Sequence, residues 1–205
     1  MGFYAKYILP WGIHFACGVK PIRYQRKKVV PLAHGRVLEI GIGSGLNLPF
    51  YDPRKVARVI GLDPSAEMRR IAEKAARAMP FPVEFIGLSG EDIPLENASV
   101  DTVVMTYTLC TIPDPVKALR EMRRVLKPGG ALVFSEHGLA PDENVRRTQA
   151  RVEPYWKRLA GGCHLTRKIP ELIAEGGFHM THLDRMYIPG WKPVSFNYWG
   201  TAAGA

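Results

Sequence analysis

The chain is poor in cysteine, in long uncharged runs and, over its first 36 residues, in acid. Only Cys17, Cys110 and Cys163 occur in 205 residues. They are too few and too scattered for a disulfide framework or a structural zinc site, and no metal is expected. The longest uncharged stretch near the front, residues 7–19, has 13 residues and contains Pro10, whereas a membrane-spanning helix needs about 20. Neither a cleaved signal peptide nor a lipoprotein signal is expected. A hydrophobic content of 46% with 23% charged residues excludes a disordered tail and a membrane-embedded bundle, and fits one domain with a sizeable core. Internal repeats, low-complexity tracts and linkers are absent. A cytoplasmic protein of a reducing compartment is expected.

What is present begins with charge. The formal net charge is +9, but residues 1–36 hold seven Lys and Arg and no Asp or Glu. The remainder carries 21 basic and 19 acidic side chains. The basic character therefore belongs to an N-terminal segment, taken as residues 1–34, and no specific nucleic acid is expected as a partner. In that segment Tyr4, Tyr7, Ile8, Trp11 and Phe15 share one face at helical spacing, with Pro10 set to kink or divide the helix. Three readings stand side by side. The stripe packs on the domain beneath solvated charges, it covers an apolar pocket as a lid, or it meets an anionic membrane surface as a peripheral contact.

Residues 35–205 read as one α/β domain. Strands are predicted at 36–40, 57–62, 82–86, 101–107 and 131–135, with late strands at 178–183 and 187–189. Helices are predicted at 66–78 and 115–126, and a helical, polar stretch over 141–176. Asp114-Pro115 supplies a cap and a first-turn proline, and Lys127-Pro-Gly-Gly130 a stop. This order gives a mostly parallel sheet with helices on both faces.

The informative stretch is Glu39-Ile-Gly41-Ile-Gly43-Ser-Gly45-Leu-Asn47, at the carboxyl end of the first strand, where open α/β sheets bind ligands. Its spacing is G-x-G-x-G, not the dinucleotide G-x-G-x-x-G. Glu39 would repel a pyrophosphate but suits a positively charged ligand. Asp63 ends the second strand, where its carboxylate can take both hydroxyls of a ribose. Together these point to a nucleoside-bearing, cationic ligand.

With Gly61-Leu-Asp63-Pro64-Ser65, Glu91-Asp-Ile-Pro94, Ser99-Val-Asp101 and Leu126-Lys-Pro-Gly-Gly130, the chain resembles the class I S-adenosylmethionine-dependent methyltransferases over about residues 35–136. The resemblance implies a Rossmann-like seven-stranded sheet whose last strand is antiparallel. It implies S-adenosyl-L-methionine as cofactor and S-adenosyl-L-homocysteine as product. It also implies Gly41 and Gly43 under the methionine moiety, Asp63 on the ribose, Gly90 and Glu91 beside the adenine, and Met68 packed on it. Glu39, Gly45, Asn47, Pro64, Thr106 and Tyr107 complete the expected cofactor site. Where many relatives place an Asp for the adenine amino group, this chain has Ser89. Thr108-Leu-Cys110, Ser135-Glu-His137, Glu153-Pro-Tyr-Trp156 and Gly162-Cys-His-Leu-Thr-Arg167 resemble the methyltransferase-like thiol S-methyltransferases. That similarity implies a small apolar thiol as acceptor; the aromatic and basic first 36 residues motivate phosphatidylethanolamine-type N-methylation at a membrane surface as the alternative, and a non-catalytic cofactor-binding or RNA-associated protein stands third.

A thiol with its pKa near 8.5 needs little help from a base, whereas a phenol, amine or carbon acceptor needs more. Candidate catalytic residues are Cys110, Glu136, His137 and His164. Candidate substrate contacts are Tyr7, Trp11, Trp156, Cys163 and Trp191. No H-x-x-x-H pair or G-x-S-x-G elbow is present.

Overall fold

The computed structural model describes residues 9–204. Two helices, α1 (Leu9–Cys17) and α2 (Lys20–Val29), lead into seven strands: β1 (Gly35–Ile40), β2 (Val56–Leu62), β3 (Val83–Ile86), β4 (Val100–Thr106), β5 (Leu126–His137), β6 (Phe178–Tyr187) and β7 (Phe196–Gly204). Between them lie α3 (Ala66–Ala76), α4 (Pro115–Val125), α5 (Glu143–Leu159), α6 (Ile169–Glu175) and a single turn, α7 (Lys192–Ser195). The strands form one sheet in the order β3-β2-β1-β4-β5-β7-β6. All neighbours pair in parallel except β7, which runs antiparallel to both β5 and β6. The seven-stranded, mostly parallel architecture is as expected.

Local chemistry explains the elements. The central strands β1 and β4 are apolar on successive residues because both faces are covered. Leu38, Ile40, Val103 and Met105 enter one core with Leu119 and Met122 of α4 and Ile173 of α6. Val37 and Val104 enter the other with Val29 of α2, and Ala75 of α3 packs against it. Asp114 caps α4 by accepting from the Lys117 N–H, and Ser65 caps α3 by accepting from the Met68 N–H.

Between α1 and α2 the chain breaks at Gly18-Val19, with Pro21 opening α2, and the stretch before Leu9 that Pro10 is expected to set off lies outside the described residues. Two readings need correction. No strand forms at 187–189; β6 instead runs to Tyr187, and the seventh strand is Phe196–Gly204. The Lys127–Gly130 turn lies within β5, whose pairing to β4 skips from Leu126 opposite Val100 to Ala131 opposite Thr102.

Candidate active site

The glycine loop leaves β1 at the sheet's carboxyl edge. Gly41 and Ile42 donate their N–H groups to the Leu62 carbonyl, which ties the loop to the end of β2. Gly41 has φ +65°, and a Cβ there would lie 2.3 Å from Thr108 Oγ1, so the loop passes β4 where only glycine fits. Asp63 closes the loop from below. Its Oδ2 accepts from the Gly43 N–H at 2.9 Å and its Oδ1 from the Ser65 N–H at 2.8 Å. Burial pushes its pKa up, and those two backbone donors oppose the shift.

Above this loop lies a cavity of about 850 Å³. Gly41, Gly43, Asp63, Pro64, Met68, Gly90, Thr106 and Tyr107 line it. Leu9, Ile13, His14 and Cys17 of α1 cover it, and Thr111, Ile112, Pro113 and Gly161 complete its wall.

Other expected cofactor residues stand one layer back. Glu39 is buried with both oxygens engaged, Oε1 by the Asn47 amide at 2.9 Å and Oε2 by the Tyr51 hydroxyl at 2.7 Å. Burial lifts its pKa to about 7. Asn47 also bonds Thr106, and Gly45 packs against Leu48 and Ala72. Glu39 and Asn47 thus shape the loop from beneath and do not line the cavity. Glu91 accepts from the Ser89 hydroxyl and the Asp114 N–H, while Ser89 itself lines the cavity.

Arg26 was missed by the reading of the sequence, which counted it only as one of the N-terminal basic residues. It is buried and lines the cavity, with Nη1 donating to Asn47 Oδ1 at 2.7 Å and to Thr106 Oγ1 at 2.5 Å. Its Nε is buried without a partner, and no carboxylate among the described residues pairs with it. The available signal was spacing, since Gln25, Arg26 and Val29 form the inward face of α2.

The candidate catalytic residues divide. Glu136 is buried on β5. Its Oε1 accepts from the Thr108 and Leu109 N–H groups at 2.8 and 3.2 Å, its Oε2 has no partner, and burial lifts its pKa to about 7. His137, Cys110 and Cys163 meet in a buried cluster with Cys163 Sγ 3.2 Å from His137 Nε2. Cys110 and Cys163, 53 residues apart in sequence, come together because β5 and the loop after α5 bring distant segments side by side. His164 does not join them. It lies 3.4 Å from Glu153, away from the cavity wall.

Among the substrate candidates, Trp11 is 53% and Trp191 51% exposed, and neither lines the cavity. Trp156 packs on Cys110 and Cys163, and Tyr7 lies outside the described residues. Trp11 and Phe15 face outward while Leu9, Ile13 and Cys17 face in, so the opposite side of α1 covers the cavity.

Residues 38–134 match the family model described as a methyltransferase domain. The chain is 36% identical over 178 residues to human thiol S-methyltransferase TMT1B, covering 83% of this chain and 72% of that one; for the Rattus norvegicus protein of the same name the figures are 37%, 79% and 65%. The chain thus spans about two thirds of the length of these relatives. A phosphatidylethanolamine N-methyltransferase of Cereibacter sphaeroides is 37% identical over half of each chain. A methyltransferase solved with the Haloferax volcanii Trm112 activator superposes with a TM-score of 0.73 over 98% of this chain and 96% of that one, at 19% identity. The protein is a class I S-adenosylmethionine-dependent methyltransferase, with S-adenosylmethionine as its cofactor. Within that class it belongs to the family of the thiol S-methyltransferases TMT1A and TMT1B.

Proposed function

We propose that the protein methylates the sulfur of a small apolar thiol. The observation that carries this reading is that every base on the cavity wall, among the described residues, is already hydrogen-bonded within the protein. Of the ionisable side chains lining it, His14 is bonded to the Ser44 hydroxyl at 2.7 Å, Asp63 is held by two backbone N–H groups, Glu67 accepts from the Ser65 hydroxyl at 3.4 Å, the Tyr107 hydroxyl donates to Asn197, burial pushes the Cys17 thiol up, and Arg26 is a cation. An acceptor that must lose a proton to a strong base is poorly served there. A thiol with its pKa near 8.5 is already a few per cent thiolate at pH 7 and strongly nucleophilic, so it needs little help. The apolar cover of Leu9 and Ile13 favours an apolar acceptor and keeps water from the reaction.

The residues fit the cofactor. S-adenosylmethionine supplies an electrophilic methyl group on a sulfonium sulfur. Asp63 offers its carboxylate to the ribose hydroxyls while fixing the glycine loop through Gly43. Arg26, with its unpartnered Nε, offers a cation for the methionine carboxylate. Ser89 and Gly90 border the adenine with Met68 across from them. Alignment by these groups is the main catalytic contribution in an in-line methyl transfer, and the acceptor's proton passes to solvent.

The test is release of S-adenosylhomocysteine by purified protein given S-adenosylmethionine and a simple alkyl thiol. Turnover with the thiol in free solution is the expected result. Turnover only with phosphatidylethanolamine vesicles would refute the thiol assignment and make the exposed Trp11 and Phe15 a membrane contact.

A further inference from the structure

Two cysteines and a histidine from three separate segments meet beside the cavity. Cys110 follows β4, His137 ends β5 and Cys163 follows α5. All three are buried, with relative exposures of 3%, 9% and 7%. Their sulfur and nitrogen atoms lie within 4.8 Å of one another, and Cys163 Sγ is 3.2 Å from His137 Nε2. Tetrahedral zinc, with Zn–S near 2.3 Å and Zn–N near 2.0–2.1 Å, sets its ligand atoms about 3.5–3.8 Å apart. Side-chain rotation of about 1 Å closes that difference.

We infer that Cys110, Cys163 and His137 form a zinc site with three protein ligands and an open fourth position.

The donor set selects the metal. Two thiolates and an imidazole suit a borderline-soft cation and disfavour magnesium or calcium, which take oxygen. Charge balance agrees, since two thiolates and neutral imidazole around Zn²⁺ form a neutral unit that a buried site tolerates. Binding releases the thiol protons to solvent. Coordination through Nε2 leaves the proton on His137 Nδ1. That atom is buried without a partner, so packing orients the ring. Three ligands with a vacant fourth position are the pattern of catalytic zinc, whereas structural sites use four.

The cluster adjoins the cavity wall. Thr108 and Thr111, on either side of Cys110, line the cavity, as does Gly161, two residues before Cys163. None of the three ligands itself lines the cavity; an acceptor thiol would reach the fourth position past Thr108, Thr111 and Gly161. The thiol displaces bound water, its S–H proton passes to solvent, and its sulfur stays anionic on the metal. This role rests on the thiol reading above, whereas the metal site does not.

The first measurement is zinc content of the full chain, purified reduced and dialysed against excess Zn²⁺ and then metal-free buffer. One zinc per chain is expected, falling to none in Cys163→Ser and Cys110→Ser and staying at one in Cys17→Ser. In case the serine variants do not fold, alkylation of the unmodified protein gives a second readout. Zinc should protect Cys110 and Cys163 but leave Cys17 unchanged. Co²⁺ in place of zinc should give thiolate charge-transfer and tetrahedral d–d bands. No retained zinc, or a Cys110–Cys163 disulfide in place of metal, would overturn the site. Bands that do not shift on adding ethanethiol would overturn the fourth-position role alone. Because none of these readouts needs turnover, failure of the thiol activity is seen separately.

Discussion

Asp63→Asn tests the centre of the cofactor reading with the smallest change of shape. The carboxylate has two tasks that the structure separates. Inside the protein it accepts from Gly43 N–H at 2.9 Å and Ser65 N–H at 2.8 Å. An amide offers one acceptor oxygen, so one of these N–H groups must face an NH₂, at a cost of about 1–3 kcal/mol for an unmet buried donor. Toward the ligand, replacing charge-assisted by neutral hydrogen bonds at two ribose hydroxyls weakens each by about 1 kcal/mol. The first cost falls on folding stability; the second predicts a loss of about 2 kcal/mol in cofactor binding, or roughly 30-fold in Kd. Titration calorimetry with S-adenosylhomocysteine measures it, with far-ultraviolet circular dichroism as the control for folding. A folded variant whose Kd stays within threefold of the original would refute the assignment of Asp63 and the loop geometry built on it.

Three further outcomes follow from the same packing. Gly41→Ala places a methyl 2.3 Å from Thr108 Oγ1 at φ +65° and should destabilise by about 2–5 kcal/mol, whereas Gly43→Ala meets only the mobile end of Met68 at 3.3 Å and should cost about 1–2 kcal/mol; denaturant melts rank the two, and equal effects would count against the close approach of the loop to Thr108. Glu136→Gln keeps the oxygen that accepts from Thr108 and Leu109. Because burial raises the folded pKa of Glu136 to about 7, above its unfolded value, the native protein binds the extra proton and loses stability from this group as pH rises from about 4.5 to 7. The variant should therefore gain up to about 3 kcal/mol relative to the original between pH 5 and pH 8, and an unchanged difference across that range would contradict a buried, proton-holding Glu136. Arg26→Met should weaken S-adenosylhomocysteine binding at least tenfold, and a neutral result by the same calorimetry would remove Arg26 from the cofactor's carboxylate.

The loop, the acid at the end of the second strand and most of the sheet were legible because their chemistry is local. Glu39 to Asn47 and Gly61 to Ser65 are continuous segments at the ends of adjacent strands, so spacing alone brings Gly43 to Asp63. The order of β1 to β5 follows from alternating apolar runs and caps. The seventh strand was not legible. Phe196–Gly204 carries Gly200, Thr201 and small alanines and shows no apolar alternation, and its place is set by antiparallel pairing with β5 and β6. The inward face of α1 was misread for a related reason. Leu9–Cys17 is apolar nearly all round, so periodicity offers two faces and only the position of the cavity chooses between them. The Cys110, His137 and Cys163 cluster joins segments 26 or more residues apart, a proximity that depends on the folded sheet.

The N-terminal basic excess takes on a different meaning once its members are placed one by one. A solvated appendage would leave its cations interchangeable. Instead Arg26 is buried between Asn47 and Thr106 at the cavity, and Lys28 Nζ lies 4.1 Å from the centroid of Trp199 on β7. Burying a guanidinium without a carboxylate partner is costly unless something anionic arrives to meet it. Its unpaired Nε therefore argues that α2 is arranged for the ligand-bound state, and that cofactor binding and docking of α2 stabilise one another. The same linkage reaches α1, which precedes α2 by only Gly18 and Val19 and supplies Leu9, Ile13 and Cys17 to the cavity's cover. An acceptor site closed by α1 would then be complete only when the cofactor holds Arg26, which orders binding with cofactor first and acceptor second.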